Sequence, residues 1–100
     1  MKTIAVVCNN RQEWRHFVDT LQFTLSKDNK PYKVSCARER GITIPETIVD
    51  IEKQVKYLYV LNHVSSIDGI RGYLWCNYIT MGKQVDKDLE NCIKLHMRGE

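Results

Sequence analysis

The sequence has neither of the glycine-rich patterns that commonly bind nucleotide phosphates, GxxxxGK[ST] and GxGxxG. None of its four cysteines forms a close CxxC pair, and its three histidines do not form an HExxH motif. It has no hydrophobic run of transmembrane length, and the apolar run near Met1 is too short for the core of a signal peptide. The sequence therefore predicts no cofactor, no metal site and no membrane association, and it argues against nucleotide hydrolysis.

The composition is that of one ordinary globular domain. One hundred residues leave no room for two domains, and 43% hydrophobic with 27% charged residues can form a core. The net charge of +3 is small, and the lysine and arginine residues are spread among aspartate and glutamate. Dedicated nucleic-acid binders concentrate basic charge on one face, so nucleic-acid binding is not the expected main function. A domain this small is marginally stable, and burial at a partner or homo-oligomer interface would stabilise it.

The four cysteines favour a reducing compartment over a secretory one. They are Cys8, Cys36, Cys76 and Cys92, and three of them lie within apolar runs, where cysteine behaves as a small hydrophobic residue. A disulfide framework would need a secretory route, for which the sequence has no signal. We therefore expect reduced thiols in the core of a cytoplasmic protein.

The first third of the chain alternates between strand and helix patterns. Residues 3–8 form a continuous apolar run rich in β-branched side chains, which is typical of a strand buried on both faces and hence of a parallel sheet. After Asn9 and Asn10, apolar residues recur at helical spacing as far as Leu25, with Asn10 as the predicted N-cap. Residues 32–37 then have the composition of a second strand.

The middle of the chain supports two interpretations. Pro45 can begin a helix over residues 45–54, and Ile48, Ile51 and Val55 would then form an apolar stripe on one face. Several residues of the same segment are β-branched, which favours a hairpin strand instead. We favour the helix and keep the strand as the alternative.

Two further strands and a C-terminal helix complete the pattern. Residues 56–64 and 73–80 have the composition of strands. The last helix is acidic near its start and basic near its end, and Gly99 lies where it would stop. Alternation of strands and helices predicts an α/β fold, namely a small Rossmann-like or P-loop-like three-layer domain with a mostly parallel sheet of about four strands.

The carboxyl ends of the predicted strands are the expected ligand site, because open parallel sheets bind ligands beyond those ends. Asn9, Asn10 and Arg11 follow the first strand, where the free N–H groups of a helix N-terminus attract anions. The alternative is that the asparagines only turn the chain and cap the helix. The segment MGKQ, residues 81–84, has a Gly-Lys pair but a glutamine in place of the hydroxyl residue of a nucleotide loop.

The segment SSIDGIRGY contains a short connector with one unexplained side chain. Ser65 and Asp68 have the spacing of a capping box, and Gly72 offers the short helix a left-handed exit. The connector does not need Arg71, which can bind a phosphate, pair with Asp68 or face a partner. Asp68 and Arg71 therefore join the three residues after the first strand as candidate ligand-binding residues.

Aromatic side chains alternate along the last two predicted strands. Tyr57 and Tyr59 share one face of the third strand, and Tyr73 and Trp75 share one face of the fourth. Core packing is the usual role of such rings, but on a thinly covered face they would anchor a partner protein. These four residues are the candidate interface.

Several segments together resemble a group of short, uncharacterised tailed-bacteriophage proteins. They are CNNRQEWRHFV, DGIRGY and GKQVDKDLENCIKLHMRG, with Asp68, Arg71 and Gly72 as the most specific positions. The resemblance implies a P-loop-like or helicase-like α/β domain in which the nucleotide loop has degenerated. Residues 41–54 have no counterpart, which implies an insertion within a single domain of residues 1–100. It also implies a phage accessory protein made in the bacterial cytoplasm.

The sequence thus favours binding over catalysis. The expected function is that of a non-enzymatic, phage-type accessory protein that binds a host or phage protein and in doing so inhibits, for example, a defence or metabolic enzyme. The alternative is a protein that binds a nucleotide or another phosphate ligand at the carboxyl edge of the sheet, and a nucleic-acid binder is a weaker third. The first interpretation predicts an exposed apolar patch.

Overall fold

The computed structural model describes residues 1–82 and 84–97. The elements in chain order are β1 (Lys2–Cys8), α1 (Arg11–Lys27), β2 (Tyr32–Glu39), β3 (Ile42–Asp50), β4 (Val55–Leu61), a 3-10 turn (Val64–Ser66), α2 (Ile67–Ile70), β5 (Asn77–Thr80) and α3 (Lys87–Leu95). Lys83 of the Gly-Lys pair and the predicted helix stop at Gly99 lie outside the described residues. No helix within the described ranges has the length and apolar character needed to cross a bilayer.

The sheet is mixed, with five strands in the order β2-β3-β4-β1-β5. Strand β1 is parallel to β4 and β5, whereas the β2–β3 and β3–β4 pairs are antiparallel. The prediction of a Rossmann-like or P-loop-like domain with about four mostly parallel strands is therefore wrong. The physical reason is β3, since short connections join it to both neighbours and strands joined in this way run antiparallel.

Strand β3 replaces the helix that we favoured for residues 45–54. The β-branched side chains of this segment fit a pleated sheet. Hydrogen bonding of β3 to β2 on one side and to β4 on the other stabilises the strand more than burial of one apolar face would stabilise a helix. Pro45 lies opposite Cys36, next to a register shift in the β2–β3 ladder that leaves Glu46 without an opposite residue. Such a bulge tolerates proline because the ladder is already interrupted there. Residues 41–54 thus contribute a strand between β2 and β4 of the same sheet.

The sheet separates two apolar cores. Side chains alternate along β1, so that Ala5 and Val7 face one core while Val6 and Cys8 face the other. The core on the side of α2 and α3 also contains Val60, Ile70, Trp75, Leu89 and Ile93. The core on the side of α1 also contains Trp14, Val18 and Ile48. Helices therefore cover both faces of the sheet.

Side chains cap the N-termini of the two long helices, and α3 ends at Leu95, before the predicted stop at Gly99. Asn10 Oδ1 accepts a hydrogen bond from the Glu13 N–H at 2.9 Å, which confirms Asn10 as the N-cap of α1. Asp86 Oδ1 accepts from the Leu89 N–H at 3.0 Å and caps α3 in the same way. Acidic residues in the first turn of α3 and Lys94 in its last turn interact favourably with the helix dipole.

The connector after β4 and the last strand differ from the prediction. Ser65, expected to form a capping box with Asp68, instead has its Oγ 2.8 Å from Nδ1 of His63. Strand β5 covers only the second half of the predicted strand 73–80, because Trp75 pairs with the segment after α3 rather than with β1. The side chain of Trp75 lies in the same core as Leu89 and Ile93 of α3.

Candidate functional site

The carboxyl ends of β1, β4 and β5 meet at one edge, where side-chain amides join the loops. Asn62 Nδ2 donates to Asn9 Oδ1 and to the Gln84 carbonyl, both at 2.8 Å. Asn62 Oδ1 accepts the Asp86 N–H at 2.8 Å, so one side chain links the segments after all three parallel strands. A Cβ at Gly82 would overlap the Asn9 amide, so this contact requires glycine. We call these five residues the asparagine network.

The N-terminus of α1, at the same edge, is satisfied by the protein's own groups. The Asn9 N–H donates to Glu13 Oε1 at 2.7 Å, and the Glu13 N–H donates to the cap Asn10. Glu13 therefore places a carboxylate where the sequence suggested an anionic ligand. In the structure, Asn10 caps α1 and Asn9 lies in the turn before it. These are the roles that the sequence offered as the alternative to anion binding.

The two candidate arginines lie on opposite sides of the sheet. Arg11 begins α1 and lines a cavity together with Trp14. Arg71 follows α2, lines a cavity beside α3, and has its Nη2 atom 3.6 Å from Oδ1 of Asp68. Both side chains of the Arg71–Asp68 pair are mostly exposed, so water screens their attraction. Because Arg11 and Arg71 line separate cavities, they do not form one phosphate site in the structure. Phosphate binding by these two residues stays a prediction.

Burial makes the Cys8 thiol unreactive. The Cys8 side chain has no exposed surface, and burial together with the nearby charge of Glu13 raises the pKa of the thiol from 9.0 to about 12. Because the thiolate is the nucleophilic form, Cys8 is inert at neutral pH. By contrast, Cys36 is exposed on β2, which corrects the expectation that it lies in the core.

We expect alkaline pH to destabilise the native protein in part through Cys8. Its pKa is higher in the folded chain than in the unfolded chain, so from pH 9.0 to about 12 the unfolded chain loses the proton first and stability falls as pH rises. Burial also raises the pKa values of Tyr57 and Tyr59, which adds to the trend. Thermal unfolding between about pH 8 and pH 11 should show a smaller loss for Cys8→Ala than for wild type. Equal losses would contradict the prediction.

The aromatic residues of the candidate interface pack against helices and one another. Tyr57 and Tyr59 face α1, and the ring of Tyr59 stacks on Trp14 with 5.6 Å between centroids. On the other side of the sheet, Tyr73 stacks on Trp75 at 5.1 Å. Trp75 has no exposed surface, and the three tyrosines are half-buried. Trp75 therefore offers a partner no surface in this conformation.

The part of the chain that extends from the sheet is the outer half of the β2–β3 hairpin. Strand β3 pairs with β4 only through residues 47–50, whereas its pairing with β2 continues to the turn at Arg40 and Gly41. Beyond the bulge, the two strands are therefore paired only with each other among the described strands. We call residues 36–45 the hairpin arm. Its outer end exposes Ile42, whose accessibility is 62%.

The hairpin arm is a defined element, fixed at both ends. At its base, Trp14 Nε1 donates to the Pro45 carbonyl at 2.7 Å. At its tip, Arg40 and Gly41 have positive φ angles of 52° and 78°, as a two-residue type I′ turn requires. Sequence reasoning missed the arm because it assigned residues 45–54 to a helix. The signal was present as the alternating, β-branched segment that follows Gly41.

Comparisons with known proteins do not assign this site. The sequence matches no family model, no curated protein and no solved structure. Among the described residues, no group of three or more His, Cys, Asp or Glu side chains could hold a metal ion. The resemblance to tailed-bacteriophage proteins therefore rests only on the sequence segments that carry it, with Asp68, Arg71 and Gly72 as the most specific positions.

Proposed function

We propose that this protein is a non-enzymatic binding domain whose hairpin arm contacts another protein. The observation that carries the proposal is the exposure of Ile42 on an arm that extends beyond the rest of the sheet. The arm presents both an apolar side chain and the outer edge of β2, which among the described strands pairs only with β3. Proteins use such edges to add a strand from a partner. Because Trp14 and the type I′ turn already order the arm, less conformational entropy is lost on binding.

The proposed class of partner follows from the resemblance to tailed-bacteriophage proteins. We place the protein in the cytoplasm of a bacterial host, where it binds a host or phage protein, and inhibition of a defence or metabolic enzyme is one consequence of such binding. The four cysteines are free thiols, as a reducing compartment maintains them.

We expect Ile42→Asp to abolish capture of the partner and Phe23→Asp to leave it intact. Ile42 lies on the arm, whereas Phe23 lies in the second half of α1. Their accessibilities are 62% and 71%, so neither substitution places a charge in the core. The measurement is affinity capture from bacterial lysate, with and without nuclease treatment, by tagged wild type and each variant, quantified by mass spectrometry. Circular dichroism and thermal midpoints control for folding.

A stoichiometric protein lost only with Ile42→Asp supports the proposal and identifies the partner. A captured protein retained by both variants would contradict a role for the arm. Loss of all captured protein on nuclease treatment would indicate nucleic acid as the partner instead. Size-exclusion chromatography of the same samples shows whether a second copy of this chain occupies the arm.

A further inference from the structure

We propose that the groove between β4 and α2 binds a lysine or arginine side chain of the partner protein. This inference deepens the proposed function and rests on it, because the groove adjoins the base of the hairpin arm. The arm would supply one part of the contact surface, and the groove would select a basic residue in the segment that is bound.

The groove lies on the side of the sheet that α2 covers. Its volume is about 370 Å3, and apolar groups supply most of its surface. Pockets for drug-sized ligands begin at ~300 Å3, so this groove has room for a long side chain together with the backbone that carries it. Its lining includes Glu46, Leu58, Leu61, Ser66, Gly69 and Tyr73. We call it the α2 groove.

The α2 groove and the apolar residues of the arm lie on the same side of the sheet. Glu46, the bulge residue next to the arm, lines the groove. Ile44 lies opposite Ala37, which is three residues from Val34 of the α1-side core and so faces the other side. Ile42, two residues before Ile44, shares its face. A partner segment that covers Ile42 and runs along this face therefore reaches the groove.

Glu46 is the charged residue among those that line the α2 groove. Its carboxylate has no hydrogen bond or ion pair with another described residue. The acidic residue of α2, Asp68, lies 3.6 Å from Arg71 and is thereby partly neutralised. Lys56 shares this face of β4 with Leu58 but does not line the groove. A basic side chain from a partner would therefore pair with a carboxylate that the described part of the chain leaves unpaired.

The α2 groove offers hydrogen-bond acceptors. The ionised Glu46 carboxylate only accepts, and Ser66 Oγ donates its hydrogen to the Leu61 carbonyl at 2.8 Å, which leaves its lone pairs as acceptors. Lysine and arginine side chains carry only donors, and their aliphatic stems pack well on apolar walls. Tyr73, held by stacking on Trp75 at 5.1 Å, adds an aromatic ring to the site of a bound cation.

The same lining disfavours phosphate ligands and nucleic acid. Proteins bind phosphate groups mainly by neutralising them with lysine and arginine, and no basic residue lines the α2 groove among the described residues. The Glu46 carboxylate would instead repel a phosphate. Arg71, a predicted phosphate ligand, lines the separate cavity beside α3. The groove therefore fits a protein segment with an exposed basic residue.

The test is selection of random linear peptides on the immobilised full chain, followed by titration of the synthesised peptides. We expect the selected peptides to carry Lys or Arg next to an apolar residue, and their binding to weaken as the salt concentration rises. Glu46→Lys should raise the Kd of such a peptide about tenfold, because it removes an attraction and adds repulsion. The matched control Asp19→Lys makes the same change of charge on an exposed residue of α1, on the other side of the sheet, and should change the Kd less than about twofold.

A second pair of variants tests the shape of the groove. Gly69 lines the groove, and a Cβ at this position would lie in open space. Gly69→Leu should therefore fill part of the groove and raise the Kd about tenfold. A Cβ at Gly72 also meets no atom within 4 Å, but Gly72 does not line the groove, so Gly72→Leu is the matched control. Circular dichroism and thermal midpoints of all four variants control for folding.

Four outcomes would overturn the inference: a selection that yields no binding peptide, selected peptides without basic residues, equal Kd values for Glu46→Lys and Asp19→Lys, or equal Kd values for Gly69→Leu and Gly72→Leu. Each leaves the proposed function standing if capture from lysate still depends on Ile42. Conversely, capture that ignores Ile42→Asp refutes the role of the arm whatever the peptides show. The two failures are therefore distinguishable.

Discussion

Trp14→Ala should destabilise the native protein by about 3–5 kcal/mol, the usual cost of deleting a large aromatic side chain from a core. Trp14 is 1% exposed in the core beneath α1, and its ring stacks on Phe17 at 5.8 Å and on Tyr59 at 5.6 Å. Its indole also holds the arm through the Pro45 carbonyl. Domains have a total stability of ~5–15 kcal/mol, so the variant should be marginally folded and its arm detached.

Trp14→Phe and Trp75→Phe separate the hydrogen bond from the packing. Both tryptophans are buried, with exposures of 1% and 0%. Trp14 Nε1 donates to Pro45, whereas Trp75 Nε1 has no hydrogen-bond partner among the described residues. Only Trp14→Phe leaves a carbonyl without its donor, so it should destabilise the protein by about 1–2 kcal/mol more than Trp75→Phe.

Urea unfolding followed by circular dichroism measures these three variants without relying on tryptophan fluorescence. Hydrogen exchange adds a local measurement, because amide exchange in the arm should accelerate with Trp14→Phe and stay unchanged with Trp75→Phe. Equal stability losses for the two phenylalanine variants, with equal exchange in the arm, would show that the bond to Pro45 does not hold the arm.

Asn62→Ala should destabilise the protein by about 2 kcal/mol, because it removes the centre of the asparagine network. The Asn62 side chain makes three hydrogen bonds, to Asn9, to the Gln84 carbonyl and from the Asp86 N–H. The first two are open to solvent, and water partly replaces them, whereas the bond from Asp86 is partly buried. Loss of the network should also weaken the start of α3, since Asp86 is its cap.

The matched control is Asn91→Ala, an exposed position on α3, which should change stability by less than about 0.5 kcal/mol. Gly82→Ala tests the network independently, since its Cβ would displace the Asn9 amide. Chemical denaturation gives all three values. If Asn62→Ala is no more destabilising than Asn91→Ala, the network does not join the loops in solution.

The sequence by itself determined the elements that depend on near neighbours along the chain. The β-branched run of β1 is a strand buried on both faces, and helical spacing with the Asn10 cap predicted α1. The order of charges predicted α3, including Lys94 in its last turn. These signals succeed because propensity, capping and dipole interactions act within one or two turns.

Only the tertiary structure decided the order and direction of the strands and the place of the site. Residues 45–54 carry a helical stripe and a β-branched pattern together, and pairing with β2 and β4 selected a strand that ends at Asp50. The positions of the strand ends predicted that Arg11 and Arg71 lie together near the carboxyl edge of the sheet. Arg11 begins α1 and Arg71 follows α2, and these two helices pack on opposite faces of the sheet. The hairpin arm likewise exists because β4 pairs with only four residues of β3. Strand order, strand direction and helix packing depend on contacts between segments that are distant in the sequence. The free energies of those contacts cannot be read from a local sequence pattern.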